Sequence, residues 1–171
     1  MENFTDAQLV QRTLVLNDRG AYSLLVRRHQ KDVRGFLTRL SRRGETADDL
    51  AQETFLTGYR RLDQLADTSK YRNWIFKIAH TEFLQWLREQ KDSSSLEDAP
   101  EAGAWPSLDF KMDVESLMKD LRPEEREVIV LCLGHEFSHA EAAEILKIPA
   151  GTVKSLILRA REKMTKKESN A

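Results

Sequence analysis

LRPEEREVIVLCLGHEFSHAEAAEILKIPAGTVKSLILRAREKMTKK, residues 121–167, reads as three short helices. Pro123 stands where a first helical turn tolerates a missing N–H, and Glu124, Glu125 and Glu127 favour the positive end of a helix dipole. That helix turns Val128, Ile129, Leu131 and Cys132 inward and stops at Gly134. Ser138 followed by Glu141 is a capping box, so a second helix opens there, with Ala142, Ile145 and Leu146 as its apolar side. Lys147-Ile148-Pro149 breaks it, and a third helix starts near Gly151-Thr152 and runs to about Lys166. On this last helix Val153, Ile157, Ala160 and Met164 recur at helical spacing and pack inward. The opposite face carries Lys154, Ser155, Leu158, Arg159 and Arg161, and residues 154–167 hold six Lys/Arg against one Glu. Two helices joined by a tight turn, the second one basic, form a helix-turn-helix pattern whose cations suit phosphates and guanine edges.

Length and composition set the frame. The 171 residues leave room for one domain or two small ones, and 32% of them are charged. No apolar run is long enough to span a membrane. The start, MENFTDAQLV, lacks the basic and apolar regions of a signal peptide. One cysteine, Cys132, allows no intrachain disulfide and suits a reducing, cytoplasmic setting as a small core residue. A net charge of −1 looks wrong for a nucleic-acid binder, but the charges are segregated. Residues 27–43 carry seven Lys/Arg against one Asp, whereas residues 92–109 carry five acidic residues and no basic one. The chain therefore presents basic surfaces for nucleic acid and acidic ones for a basic protein partner.

Thr5 and Gln8 form a capping box that opens a helix through Leu16, and Asn17 to Gly20 form a turn. A long helix follows from Ala21 to Leu40. Thr46 then caps a helix to about Leu65, with Ala51, Phe55, Tyr59 and Leu62 as core stripe and Asp48, Asp49, Gln52 and Glu53 as one polar patch. After a loop at 66–69, a helix from about Lys70 to Gln90 mixes Lys70, Arg72, Lys77 and Arg88 with Tyr71, Trp74 and Phe76. Cations among rings are what unstacked single-stranded nucleic acid requires. Residues 92–111 are Ser-, Ala- and Pro-containing and acidic, too poor in apolar surface to fold alone, with Trp105 the exception. A segment of about 20 residues spans at most ~70 Å, roughly two turns of duplex. Helical periodicity resumes from Phe110.

These stretches resemble bacterial sigma factors. Glu144, Ile145, Leu146, Pro149, Gly151, Thr152, Val153, Lys154, Ser155, Arg159, Ala160 and Arg161 match the pattern of sigma region 4, with Leu156 where the family usually has Arg. Ala47, Asp48, Asp49, Leu50, Gln52, Glu53 and Phe55, then Trp74, Ile78 and Ala79, match region 2 of the extracytoplasmic-function (ECF) group. Thr46 departs from the family's first Asp, and His80-Thr81 from its common Arg-Asn. The resemblance covers about residues 5–90 and 112–167. It implies an all-α chain of two small helical domains, 1–91 and 112–171, joined by a flexible acidic linker at 92–111. It implies an alternative sigma factor of the bacterial cytoplasm that docks on core RNA polymerase and opens promoter DNA, with no catalytic residue, cofactor or metal. Asp48, Asp49, Gln52 and Glu53 would bind the clamp helices of the largest subunit, and region 4 would meet the flap. Asp67, Thr68, Ser69, Lys70, Tyr71, Arg72, Trp74, Lys77 and Thr81 would hold and melt the −10 element. Thr152, Lys154, Ser155, Leu158, Arg159 and Arg161 would read the −35 element. An anti-sigma factor is a common partner in the family.

Two other readings remain open at this stage. One is a stand-alone helix-turn-helix regulator that uses residues 1–90 to oligomerise; the other is a regulator that occupies polymerase or another sigma factor without initiating. The His135-Glu136-Phe137-Ser138-His139 run matches the H-E-x-x-H zinc-peptidase pattern, with Glu162 as third ligand by spacing. That chemistry needs both histidines on one helix, and Gly134 and Ser138 punctuate the run as a turn.

Overall fold

The computed structural model describes residues 3–93 and 118–169, and every regular element among them is helical. Seven α-helices follow in order among these residues: α1 Asp6–Leu16, α2 Arg19–Ser41, α3 Gly44–Arg60, α4 Tyr71–Ser93, α5 Pro123–Ile129, α6 His139–Leu146 and α7 Ala150–Ser169. Most of the acidic linker, including Trp105, and the start of the helical run at Phe110 lie outside the described residues, while the first two residues of the expected linker, Asp92 and Ser93, belong to α4.

The first four helices share one core. Thr5 closes the expected capping box on α1, and Asn17 ends that helix in the left-handed region. Asp18 at once caps α2, so Arg19 and Gly20 are already helical rather than part of a turn. Asp6 ties α1 to α2, accepting from Arg28 at 2.9 Å and lying 2.7 Å from His29 Nε2. The Tyr22 hydroxyl donates to the Phe55 carbonyl at 2.6 Å, and Thr57 donates to Glu82 at 3.0 Å, linking α3 to its neighbours on both sides. Leu25, Val33, Phe36, Phe55, Ile75, Phe76 and Phe83 fill the space between α2, α3 and α4.

Thr46 is not the cap of α3. Arg42 ends α2 in the left-handed region, its N–H bonded back to Thr38, and leaves one extended residue, Arg43, before the next helix begins. That helix also stops sooner than expected, at Arg60. A short 3₁₀ turn, Leu62–Gln64, follows because Leu62 and Leu65 both turn into the core. Tyr59, expected in the core stripe, is 37% exposed and packs edge-on against Tyr22 at 4.9 Å.

The last three helices form the helix-turn-helix unit. Pro123 occupies the first turn of α5, and Glu125 reaches back to the Arg122 N–H at 2.9 Å. After Ile129 the chain continues as a π-turn, Val130–Gly134, which buries both Val130 and Leu131. Ser138 and Glu141 form the expected capping box on α6, and Lys147, left-handed at φ 56°, ends it. Val153, Ile157 and Ala160 are buried under α7, and Met164 is half-buried, as its spacing predicts.

Candidate functional site

Three surfaces carry the residues singled out by sequence. The first is the outer face of α7. Thr152, Lys154, Ser155, Leu158, Arg159 and Arg161 are all exposed on it, and Leu158 stands 60% exposed among the cations. Leu156 points the other way and is buried. An Arg at that position would lose its hydration in the core, so the departure from the family pattern is absorbed by packing rather than by the exposed face. Behind this face, burial disfavours charge on the fully enclosed Glu125 carboxylate. Lys163 at 2.7 Å and the Arg122 backbone outweigh that cost and hold its pKa below the ordinary 4.5. The pair anchors α7 to α5.

The second surface is the N-terminal half of α3. Asp48, Asp49, Gln52 and Glu53 are all exposed there. Arg34 of α2 forms a two-pronged ion pair with Asp48 and keeps its carboxyl below the usual range. Arg60 lies 3.3 Å from Glu53. Beside this acidic edge runs an open groove of about 740 Å³ between α2 and α3. Tyr22, Val26, Phe55, Leu56 and Tyr59 line it, and Asp48 and Gln52 rim it. The acidic patch is named by the sequence, but not the apolar floor beside it, nor Arg19, Lys31 and Arg34, which line the groove with Asp48. The exposed Leu56 one turn after Gln52 was the signal available for the floor.

The third surface is the segment before α4 together with α4 itself. Leu65 is buried, and a 3₁₀ turn at Thr68–Lys70 is capped by Asp67, which accepts from the Ser69 backbone at 3.0 Å and its hydroxyl at 2.6 Å. Asp67, Ser69, Lys70 and Thr81 are exposed, while Thr68, Arg72, Trp74 and Lys77 are half-buried. Tyr71 corrects the sequence reading. It is 0% exposed, packed against Trp74 and His29, with burial pushing its hydroxyl pKa far up, so it supports this surface from within. Arg72 and Lys77 are only partly open to solvent, because α6 and the turn before it pack on them. Arg72 donates to the His135 carbonyl at 2.7 Å and lies over the Phe137 ring at 4.2 Å. Asn73 and Lys77 both donate to Glu144, at 2.9 and 3.0 Å.

The H-E-x-x-H run is resolved by the same contact. Glu136 is left-handed at φ 57° and Ser138 caps α6, so the two histidines do not share a helix. His135 is buried against Phe36 and Phe76, where desolvation drops its pKa to about 4, and His139 is exposed.

Comparison with known proteins decides the family. The family model described as Sigma-70 region 2 matches residues 25–93, and that described as Sigma-70, region 4 matches residues 111–164. The ECF RNA polymerase sigma-E factor of Haemophilus influenzae is 31% identical over 97% of this chain and 96% of its own length. Its Escherichia coli K12 counterpart is 34% identical over 97% and 95%. The chain belongs to the ECF group of sigma factors. Among solved structures, sigma factor RpoE of Bartonella quintana, in complex with the anti-sigma factor NepR, superposes with a TM-score of 0.69 at 28% identity, covering 85% of this chain and 94% of that one. CnrH, in complex with the cytosolic domain of CnrY, has the same fold, with a TM-score of 0.72 at 23% identity over 96% and 97%.

This is therefore an alternative sigma factor for transcription initiation. In this sigma factor most of α2 with α3 and α4 is region 2, and α5, α6 and most of α7 are region 4. The acidic patch, most of the groove and the α4 surface thus fall in region 2, and the exposed basic helix in region 4. Among the described residues no helix is long and apolar enough to cross a membrane.

Proposed function

We propose that this sigma factor divides its work among the three surfaces. Asp48, Asp49, Gln52 and Glu53 dock core RNA polymerase, with the apolar groove beside them taking the buried part of that contact. The exposed face of α7 reads the −35 element in the major groove through Lys154, Ser155 and Arg159, with Leu158 against a thymine methyl and Thr152 and Arg161 toward phosphates. Asp67 to Lys70, with Arg72, Trp74, Lys77 and Thr81 of α4, hold the opened −10 strand. Unstacking a base costs a few kcal/mol, and tethering both modules to polymerase raises the effective concentration that offsets it.

One observation carries the reading. A single chain presents an exposed acidic patch beside an apolar groove on one helical unit and the cation-rich exposed face of α7 on the other. The chain performs no bond-making step itself and works in the bacterial cytoplasm with polymerase and promoter DNA. An anti-sigma factor is its expected antagonist, by likeness to the Bartonella complex.

Size-exclusion chromatography with bacterial core polymerase tests this. The chain should co-elute, and Asp49→Arg/Glu53→Arg should abolish co-elution while leaving helicity by circular dichroism intact. A folded wild-type chain that fails to co-elute, yet binds duplex DNA tightly as a dimer, would replace the sigma reading with a stand-alone regulator.

A further inference from the structure

A cavity of about 230 Å³ lies where the end of α2, the second half of α4 and the start of α5 meet. Phe83 and Trp86, stacked with ring centroids 6.0 Å apart, give it an apolar wall, with Leu87 and Pro123 beside them. Arg42 and Arg126 line it as well, against a single carboxylate, Glu127. None of these side chains belongs to the acidic patch, the −10 face of α4 or the exposed face of α7. The charges at this cavity do not balance. Arg126 is 9% exposed. One of its terminal nitrogens donates to the Met118 and Leu121 carbonyls at 3.4 and 3.2 Å, but its Nε has no hydrogen-bond partner among the described residues. The Nε of Arg42 is buried and equally unpartnered among them. Burial and the Arg42 charge press the Arg126 pKa down, and Glu127 opposes them only in part. Glu127 is itself shared with His80, whose Nε2 lies 3.5 Å away. A buried donor without a partner costs stability, and a second cation beside it adds to that cost. An anion entering the cavity relieves both.

We infer that this cavity is a binding site for a small organic carboxylate carried on a flat apolar body. Guanidinium groups match a carboxylate in shape as well as charge. With two cations and Glu127 at the wall, one negative charge completes the balance. A phosphate dianion would instead leave excess negative charge beside Glu127. The apolar wall selects the body, since Phe83 and Trp86 offer ring faces and edges to another ring. The volume lies below the roughly 300–1,000 Å³ of drug-sized sites, which limits that body to about two fused rings. Because α2 and α4 supply one side of the lining and α5 the other, the site is complete only in the folded chain with both units in place. A bound carboxylate therefore stabilises the whole chain by mass action.

Isothermal titration of the full chain with sodium 2-naphthoate tests the site. One saturable site should appear. The neutral 2-naphthamide, of the same shape without the charge, should bind about tenfold more weakly, as expected when charge-assisted hydrogen bonds are lost. Excess inorganic phosphate should not displace the naphthoate. Arg42→Gln keeps the backbone N–H that bonds to Thr38 and should also lower the affinity about tenfold. Leu87→Trp, which fills the cavity without removing a charge, should abolish binding, with circular dichroism checking that both variants are folded. Naphthoate should raise the thermal unfolding midpoint of the wild-type chain more than that of either variant. No saturable binding, or equal binding of the amide, overturns the anion site. Displacement by phosphate overturns the carboxylate class. Unchanged binding to Leu87→Trp places the probe elsewhere on the chain and overturns the cavity.

Discussion

At the scale of single residues, Leu158 and Glu125 show how one helix divides recognition from anchorage. Leu158 exposes 60% of its surface on a face otherwise made of Lys, Arg and Ser. An apolar side chain there suits a thymine methyl, whereas a cation would suit phosphate. Leu158→Ser should relax discrimination at one base pair of the −35 element, by about 1 kcal/mol at the low end for a direct base contact, without altering the salt dependence of binding. Lys154→Ala should instead lower the salt slope by about one if it touches phosphate. Binding titrations over a set of single-base variants at several salt concentrations separate the two. Glu125 works from behind. Its carboxylate is fully buried and satisfied by Lys163 and Arg122. Lys163→Ala should destabilise the helix-turn-helix unit by about 2 kcal/mol, below the full cost of orphaning a buried charge because Arg122 remains. The sign of its pH dependence follows from the depressed pKa. The carboxylate's contribution is complete above its ordinary 4.5 and is lost as pH falls through its lower folded value. With Lys163 removed that loss should begin at higher pH, visible as an acid unfolding curve displaced upward.

At the scale of elements, α3 departs from its sequence reading at both ends, and its N-terminal departure makes a prediction. Its N-terminus has an extended residue, Arg43, that offers no side-chain cap. Arg43→Asp should add one and raise stability by about 1 kcal/mol, measurable by thermal unfolding. Inside α3, Gly58 lies where a methyl would come within 2.8 Å of Ile75 Cδ1 and 2.9 Å of the Tyr22 hydroxyl. Ile75 can swing its terminal carbon, but the Tyr22 hydroxyl is fixed by its bond to Phe55. Overpacking of this kind costs about 1–3 kcal/mol and outweighs the helix-propensity gain of about 1 kcal/mol. Gly58→Ala should therefore lower the melting temperature, and a rise would show that α3 can shift away from α2. The helix-turn-helix was legible because its signals are local: Pro123, the Ser138–Glu141 box and the stop at Lys147 to Pro149 each act within one turn. The start of α3 was not, since Thr46 resembles a cap and only the left-handed Arg42 settles where the previous helix ends. Tyr71 was misread for a related reason. Alternating cations and rings show that a helix has a wet side and a dry side, but the packing of α1 and α2 decides that Tyr71 belongs to the dry one.

At the scale of the whole molecule, the join between the two helical units could not be read from the chain. Its partners are separated by 63 to 71 residues, and no local period relates Arg72 to His135 or Lys77 to Glu144. His135 nonetheless makes the join sensitive to acid. Its ring belongs to the helix-turn-helix unit but is buried by Phe36 and Phe76 of the other unit, and burial there is the main cause of a pKa near 4 against an ordinary 6.5. Arg39 and Arg72 press it the same way, and Asp32 opposes them. When the units part, the ring regains water and its ordinary affinity for a proton. The parted state therefore binds a proton first as pH falls below 6.5, and the joined state loses ground until about pH 4, where both are protonated. A difference of this size corresponds to at most about 3 kcal/mol. Glu144, held below its ordinary 4.5 chiefly by Lys77, adds to the same trend in the lower part of that range. Small-angle scattering should show a compact particle at neutral pH whose radius of gyration grows between pH 6.5 and 4. His135→Phe keeps the aromatic packing and removes the titrating group, so its transition should move to lower pH, leaving only the carboxylate part. Coincident curves for the two proteins would mean that the ring stays buried when the units separate, and would transfer the acid response to the other titratable groups at the join, Glu144 against Lys77 and Glu127 against His80.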